Sequence, residues 1–509
     1  VIVGINEYTI YDIICRNAQI YADQDCIVFN NNRLSHREFK NKCDQLAAGL
    51  VQSGVEKGDR LGILANNSSE FIILYGAAAK IGAIMLPVNW RFQQKEVEYI
   101  LAECTPKLMF VGTDYRNRVI EISRKVKSIK DYYAIGGGEL SDGLHPFEEL
   151  YSKDGAEEKF DISVTSGFVI IHTAAVDARP RGALLSQANF VFENMVVMNQ
   201  YGLGCKDCHL CFLPLFHIAG LVPSMAVMHA GGKNVIAERF DPELVLRLIE
   251  HEKVTIFFHF PPILKSITEK YGQHTYDLSS LQNIAGLDHP DNIQGFLKIA
   301  PGTRAWIGFG QTETLGVSDC TFDEKPGSVG RPHALTRLAL FDDYDHEVPI
   351  GTPGEICVRS PTVFLGYWGR EDDNAYTFRN GWHHTGDIGR VDEKGYLWYV
   401  KRKAQKELIK TGGENVYPAE VEKAILDHEA IAEVSVIGVP DPQWGEAIKA
   451  ICVLKQGMSL DSQDLINFVA LNIARYKKPK FVVFVDALPK TQEGDIDREK
   501  LKKNHGGIF

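Results

Sequence analysis

The chain has 509 residues, of which 45% are apolar and 24% charged, the balance of a soluble globular protein long enough for more than one packed unit. Its formal net charge of −11 argues against nucleic acid or an anionic membrane as partner, because both reward a basic surface. The expected partners are therefore small molecules, with no nucleic acid and no membrane.

From the start at Val1 there is no basic segment followed by a cleavable apolar stretch, and the final "GGIF" matches no retention or peroxisomal address, so a cytoplasmic location is expected. The longest apolar run, "FIILYGAAAKIGAIMLPV" from Phe71, is broken by Lys80 and by glycines, and predicts a buried helix and strand rather than a membrane span. Strand-like runs "RLGILAN", "AIMLPVN", "KLMFVG", "HLCFLPL" and "VTIFFHF" alternate with helical stretches. This pattern predicts an α/β fold with mainly parallel sheets.

Residues Phe168 to Phe190 predict a short strand, a loop and a helix capped by Ser186, with Phe192, Met195 and Val196 on its apolar face. Strand, loop and helix in that order can hold phosphate. The loop from Thr173 through Ala178 is nevertheless nearly bare of the glycines and hydroxyls expected of such a site, and is followed by Arg179 and Arg181. Further on, Cys205, Cys208 and Cys211 with His209 spell C-x-x-C-H, the haem-attachment pattern. The alternation of "HLCFLPLFH" favours buried thiols on a strand, and no second ligand pair at zinc spacing stands nearby.

In "GFGQTE", Gly308 to Glu313, the glycines allow close backbone approach, Phe309 offers an aromatic face, Thr312 a hydroxyl and Glu313 a carboxylate suited to Mg²⁺. In "GWHHTGD", Asp387 can accept both hydroxyls of a ribose. After "GYLWYVKRK" the composition changes, predicting a boundary near Lys401 between residues 1–400 and a small α+β domain, 401–509.

Together with "KTGGENVYPAEVE", Lys410 to Glu422, these motifs resemble those of the adenylate-forming (ANL) superfamily, which includes acyl-CoA synthetases, nonribosomal adenylation domains and luciferases. The similarity runs from "AAAKIGAIMLPVNWR" to "ALPKTQEGDIDREKL", nearly the whole chain. It implies a large multi-sheet N-terminal domain that binds adenylate and acyl group, and a small mobile C-terminal lid. The implied activity is that of an acid–thiol ligase using ATP, Mg²⁺ and CoA, an acyl-CoA synthetase of the kind found in fatty acid metabolism. A carboxylate joins the α-phosphate of ATP, pyrophosphate leaves, and a thiol then attacks the acyl-adenylate.

By resemblance, Phe309 stacks on adenine, Gln311, Thr312, Asp387 and Arg402 hold the nucleotide, and Glu313 binds the metal. Lys401 is the hinge, and Gly412 and Gly413 line the pantetheine tunnel. His217, Gly286 and Gly308 shape an acyl pocket that Phe216, Ile218 and Leu221 suit to an apolar acid. Thr173 and Arg181 belong to the phosphate loop, whose usual TSGTTGxPKG here becomes "TAAVDARPRG", with Arg181 in place of lysine. The usual lysine of LPKTxxGKI is replaced by Asp495, and Lys490 or Arg498 is the candidate to take its role. These departures raise a second reading, a half-catalytic or non-catalytic binder of acyl-adenylate or acyl-CoA. A stand-alone adenylation enzyme serving a carrier protein is a third, and luciferase-like oxygenation ranks last. The acid itself is left open, and a homo-oligomer is compatible with the sequence.

Overall fold

The computed structural model describes residues 7–507 except 124, 138–139, 141–142, 157, 174–179, 273–275, 403–407, 413 and 491–495. Two large sheets organise the N-terminal part. One has the strand order Gly366–Tyr367, Arg181–Ser186, Gly167–Thr173, Ile84–Pro87, Arg60–Leu64, Leu108–Gly112, Asp131–Ile135 and Leu144–Pro146. Its strands are parallel from Gly167–Thr173 onward, and the first two connections are antiparallel. The other sheet has six parallel strands, from Arg304–Gln311 across to Asp25–Phe29, with antiparallel strands added at both edges.

Two helices, Ser69–Ile81 and Ile218–Ala230, are buried because their sequences are apolar on nearly every side. In Ser69–Ile81 every residue from Phe71 to Ile81 is buried, including Lys80, whose ammonium pairs with buried Asp44 at 2.9 Å. Ser186 caps Gln187–Tyr201 by accepting from the Asn189 amide, as the sequence suggests. Of the three residues expected on its apolar face, only Val196 is buried. Phe192 and Met195 are exposed, whereas Phe190, Val191, Glu193, Asn194, Val196 and Val197 are buried.

Parallel layering does not extend through the chain. Arg337–Phe341, Gly354–Arg359, His383–Val391 and Leu397–Arg402 form a third, wholly antiparallel sheet. The C-terminal part is built on the long hairpin Ile431–Asp441 and Gly445–Leu454, flanked by Ile409–Thr411, Glu414–Val416 and Phe481–Phe484, with its own apolar core around Val421, Ile448 and Leu465. Lys401 still belongs to the third sheet, opposite Ile388. Cys208 and Cys211 are buried thiols on the strand Cys208–Cys211, and His209 shares a hydrogen bond with Asn234 there at 2.9 Å. Among the described residues, no helix is long and apolar enough to cross a membrane.

Candidate active site

A cleft of about 1630 Å³ opens where the two large-domain sheets, the third sheet and the small domain meet. Thr173, His217, Gly286, the whole of Gly308–Glu313, Asp387, Lys401 and Arg402 border it. These residues are scattered over 230 positions of sequence, and the sheets bring their strand ends together.

One wall centres on a buried carboxylate, that of Asp387. Antiparallel pairing sets Asp387 directly opposite Arg402, and the guanidinium Nη1 donates to both carboxylate oxygens at 3.0 and 3.1 Å. Burial alone would lower the Arg402 pKa, but the adjoining Asp387 charge prevails and raises it. Gln311 Nε2 donates to the same carboxylate and to the Thr385 carbonyl at 3.2 Å. The pair fixes Asp387, which keeps lone pairs for hydroxyl donors from the cleft. Phe309 lies beside Tyr399, ring centroids 6.4 Å apart, as the flat wall adjoining this grip.

Across the cleft, Thr173 Oγ1 donates to Glu313 Oε1 at 3.2 Å, and Tyr367 OH donates to the same oxygen at 2.9 Å. Tyr367 escaped sequence reasoning, since nothing in "FLGYWG" shows that it reaches Glu313. Thr312 also borders the cleft. Arg181 is not among the bordering residues. Its Nε stands 3.4 Å from Asp373, and its guanidinium carbon lies 5.5 Å from the Tyr367 ring centre.

His217 caps the helix Ile218–Ala230 through Nδ1, which accepts from the Ala219 amide at 3.1 Å. Burial lowers its pKa, leaving a neutral ring at the throat between the cleft and a narrow cavity of about 50 Å³. Glu414 of the small domain reaches that throat and pairs with Arg91. Gly286 fits because a Cβ there would come within 1.9 Å of the His259 carbonyl oxygen. Gly412 turns with φ +57° under Trp444, whose ring a Cβ would approach to 2.7 Å, a conformation that favours glycine.

Lys490, expected as a catalytic group, does not border the cleft. It is an exposed partner of Glu433 at 3.2 Å on the small domain, because the short bridge to Ile496 directs it outward. Arg498 does border the cleft, though its guanidinium already donates to the Val436 carbonyl at 3.0 Å and to Glu422 at 2.7 Å. Lys410, not singled out from the sequence as a site residue, opens into the cleft 4.8 Å from the centre of the Tyr399 ring. The walls crowding it desolvate the ammonium and lower its pKa. Ala174 to Arg179, Lys403, Lys406, Gly413 and Asp495 lie outside the described residues.

The AMP-binding enzyme family matches residues 14–368, and the AMP-binding enzyme C-terminal domain matches residues 420–495. The chain belongs to the AMP-binding enzyme family. The family model covers the cleft's Thr173 and Glu313, and the C-terminal domain model covers most of the small domain, in agreement with the adenylate-forming resemblance of the motifs. An indoleacetate–CoA ligase of Aromatoleum aromaticum is 32% identical over 96% of each chain. A feruloyl-CoA synthase of Amycolatopsis is 30% identical over 96% of this chain and 98% of its own. The amide bond synthetase McbA of Marinactinospora thermotolerans, 23% identical, shares the fold over 98% of this chain and 100% of its own, with a TM-score of 0.88.

Proposed function

We propose that this enzyme is an ATP-dependent, AMP-forming acid–CoA ligase that activates an apolar, aromatic carboxylic acid through an acyl-adenylate. The observation that carries the reading is the convergence in one cleft of the Asp387–Arg402–Gln311 grip, the Thr173–Glu313 pair and the gate residue His217. Relatives named for indoleacetate and feruloyl groups support an aromatic acid and CoA as acceptor.

In this reading Asp387 accepts from the ribose hydroxyls while Phe309 packs on the base, fixing the α-phosphate near Thr173 and Thr312. The Thr173 hydroxyl and the Glu313 carboxylate are hard oxygen donors 3.2 Å apart, a set that fits Mg²⁺. Bound there, the ion would neutralise charge on the phosphates. The acid lies beside His217 with its carboxylate directed at the α-phosphate, and positioning supplies much of the rate. In the same reading the small domain, whose Glu414 borders the His217 throat, faces the acyl carbonyl for thiol attack. Arg181 and Lys490 each face a carboxylate of their own here, which favours, as a second reading, weak adenylation with acyl-adenylate still converted.

ATP–pyrophosphate exchange, followed by CoA thioester detection over aromatic, alicyclic and aliphatic acids, tests both. Exchange and thioester with aromatic acids are expected, and Asp387→Asn should raise the KM for ATP by about tenfold or more, the size of hydrogen bonds to a charged group. No exchange, with supplied acyl-AMP still consumed, supports the second reading. No thioester by either route overturns the ligase.

A further inference from the structure

The chamber leading from His217 away from the nucleotide grip is not uniformly apolar. Tyr201, Phe258 and Trp306 line it, with Tyr201 at the centre: its ring centroid is 5.2 Å from that of Trp306 and 5.8 Å from that of Phe258. Val196, Val197 and Val222 complete this side. Bordering the same chamber, however, are Glu193, Asp319 and His333, with Glu193 only 3% and Asp319 9% exposed and the His333 side chain 8%.

Their mutual bonds use only part of their capacity. Glu193 Oε1 accepts from the Gly316 amide at 3.0 Å, but Oε2 has no hydrogen-bond partner. Asp319 Oδ2 accepts from Tyr201 OH at 3.3 Å, and Oδ1 stands 3.4 Å from His333 Nε2 without hydrogen-bond geometry. One glutamine oxygen would serve the Gly316 amide equally well, so the backbone bond does not account for an ionisable group with a second oxygen free. A buried carboxylate oxygen left unmatched is costly, and it persists where something else uses it.

We propose that Glu193, supported by the Asp319–His333 pair, is a specificity determinant that reads a hydrogen-bond donor, an N–H or O–H, at the far end of an aromatic acid. The inference rests on the ligase reading for the identity of the chamber and deepens it: the aromatic walls hold the ring, and the free Glu193 oxygen selects what the ring carries. A site built to pair a substrate donor rejects the analogue lacking it more strongly than an apolar wall rejects an extra group, because the protein's own polar atom is then stranded.

Matched acyl-sulfamoyl adenosines test this without turnover. In one member of each pair the aromatic acyl group ends in –NH₂ or –OH, in the other in –CH₃, and affinities for the full chain are measured by calorimetry at about pH 8.5, where the Glu193 carboxyl is ionised. The wild type should bind the donor-bearing member about 10- to 100-fold tighter, the range expected of one hydrogen bond to a charged group. Glu193→Gln keeps an acceptor for Gly316 but offers an amide with its own N–H, so the ratio should fall to about one or reverse. Equal binding of both members by the wild type, or an unchanged ratio in Glu193→Gln, overturns the proposal. If thioester forms from aromatic acids while the ratio is one, only this inference fails. If the ratio holds while no thioester forms from any acid or acyl-AMP, the ligase reading fails and the selective chamber stands. No measurable binding of either member overturns both.

Discussion

At the scale of a residue, Glu193 also carries a thermodynamic consequence. Burial pushes its carboxyl up from an ordinary 4.5 to about 7, against the opposing charge of His333 and the Gly316 bond. Between those values the folded chain holds a proton that the unfolded chain has released. Stability from this group is therefore full below about pH 4.5 and is lost as pH rises toward 7. The His333 pKa is likewise raised, by Asp319 and Glu193 against its own desolvation, so its contribution falls in the same direction. Glu193→Gln should flatten the fall in stability between pH 5 and 7.5, by up to about 3 kcal/mol. Denaturant midpoints of both proteins at each pH would show this, and parallel pH curves would contradict it. Sequence reading named Glu313 and Asp387 from residue types that state a chemistry, and Thr173 and Arg402 from the motif resemblance, and the cleft brings all four together. It missed Glu193, Tyr367 and Lys410, whose partners come from distant strands. A glutamate inside "FVFENMVV" looks like the polar side of a surface helix, and only the Gly316 amide, 123 positions later, shows that it points inward.

At the scale of elements, the small domain is fastened to the large one by buried charge. Lys477, in the turn Arg475–Lys477, lies between Glu96 of the helix Gln94–Cys104, at 2.6 Å, and Glu420 of the helix Pro418–Leu426. Burial would lower the Lys477 pKa, but the two carboxylates prevail and raise it. Arg91 with Glu414, and Gln93 Nε2 donating to the Ala470 carbonyl at 3.3 Å, extend the same seam. Removing one partner from a buried pair strands the others and costs about 3–5 kcal/mol, unless the elements part and let water in. Parting is open to a domain with its own core. Lys477→Ala should thus lower thioester formation from supplied acyl-AMP about tenfold or more, leave ATP–pyrophosphate exchange within about threefold, and enlarge the radius of gyration in solution scattering. Unchanged scattering together with an unchanged thioester rate would remove the fastening role. Periodicity anticipated the helix after Ser186 but misplaced its buried side, since Phe192 and Met195 look more apolar than the asparagine and glutamate that in fact face inward. No local pattern encodes a contact between Lys477 and a residue 381 positions away.

At the scale of the whole molecule, the two chemical steps ask different things of the lid. In the proposed reading adenylation needs the Asp387 grip and phosphate residues closed over ATP, whereas thiol attack needs the small domain's Glu414 at the His217 throat, where it stands here. The proposed reading assigns the alternation between the two to the chain near Lys401, which the motif resemblance names as the hinge. Lys401 is exposed, borders the cleft and pairs opposite Ile388 on the last strand of the third sheet, so its backbone can rotate without opening a core. The composition change predicts the boundary there, although the sheet carries Arg402 as well and keeps its pairing with Asp387 in the large domain. Proline at 401 would hold φ near −65° and remove an N–H, and of the cleft's side chains it replaces only that of Lys401 itself. Lys401→Pro should therefore lower overall thioester turnover from acid, ATP and CoA by about tenfold or more, while one of the two half-reactions, assayed separately, stays within about threefold of wild type. If both half-reactions and the coupled reaction persist, rotation about Lys401 is not required. If both halves fall together with the affinity for ATP, the substitution has disturbed the Asp387–Arg402 grip one residue away, and the hinge must be sought elsewhere in the connection.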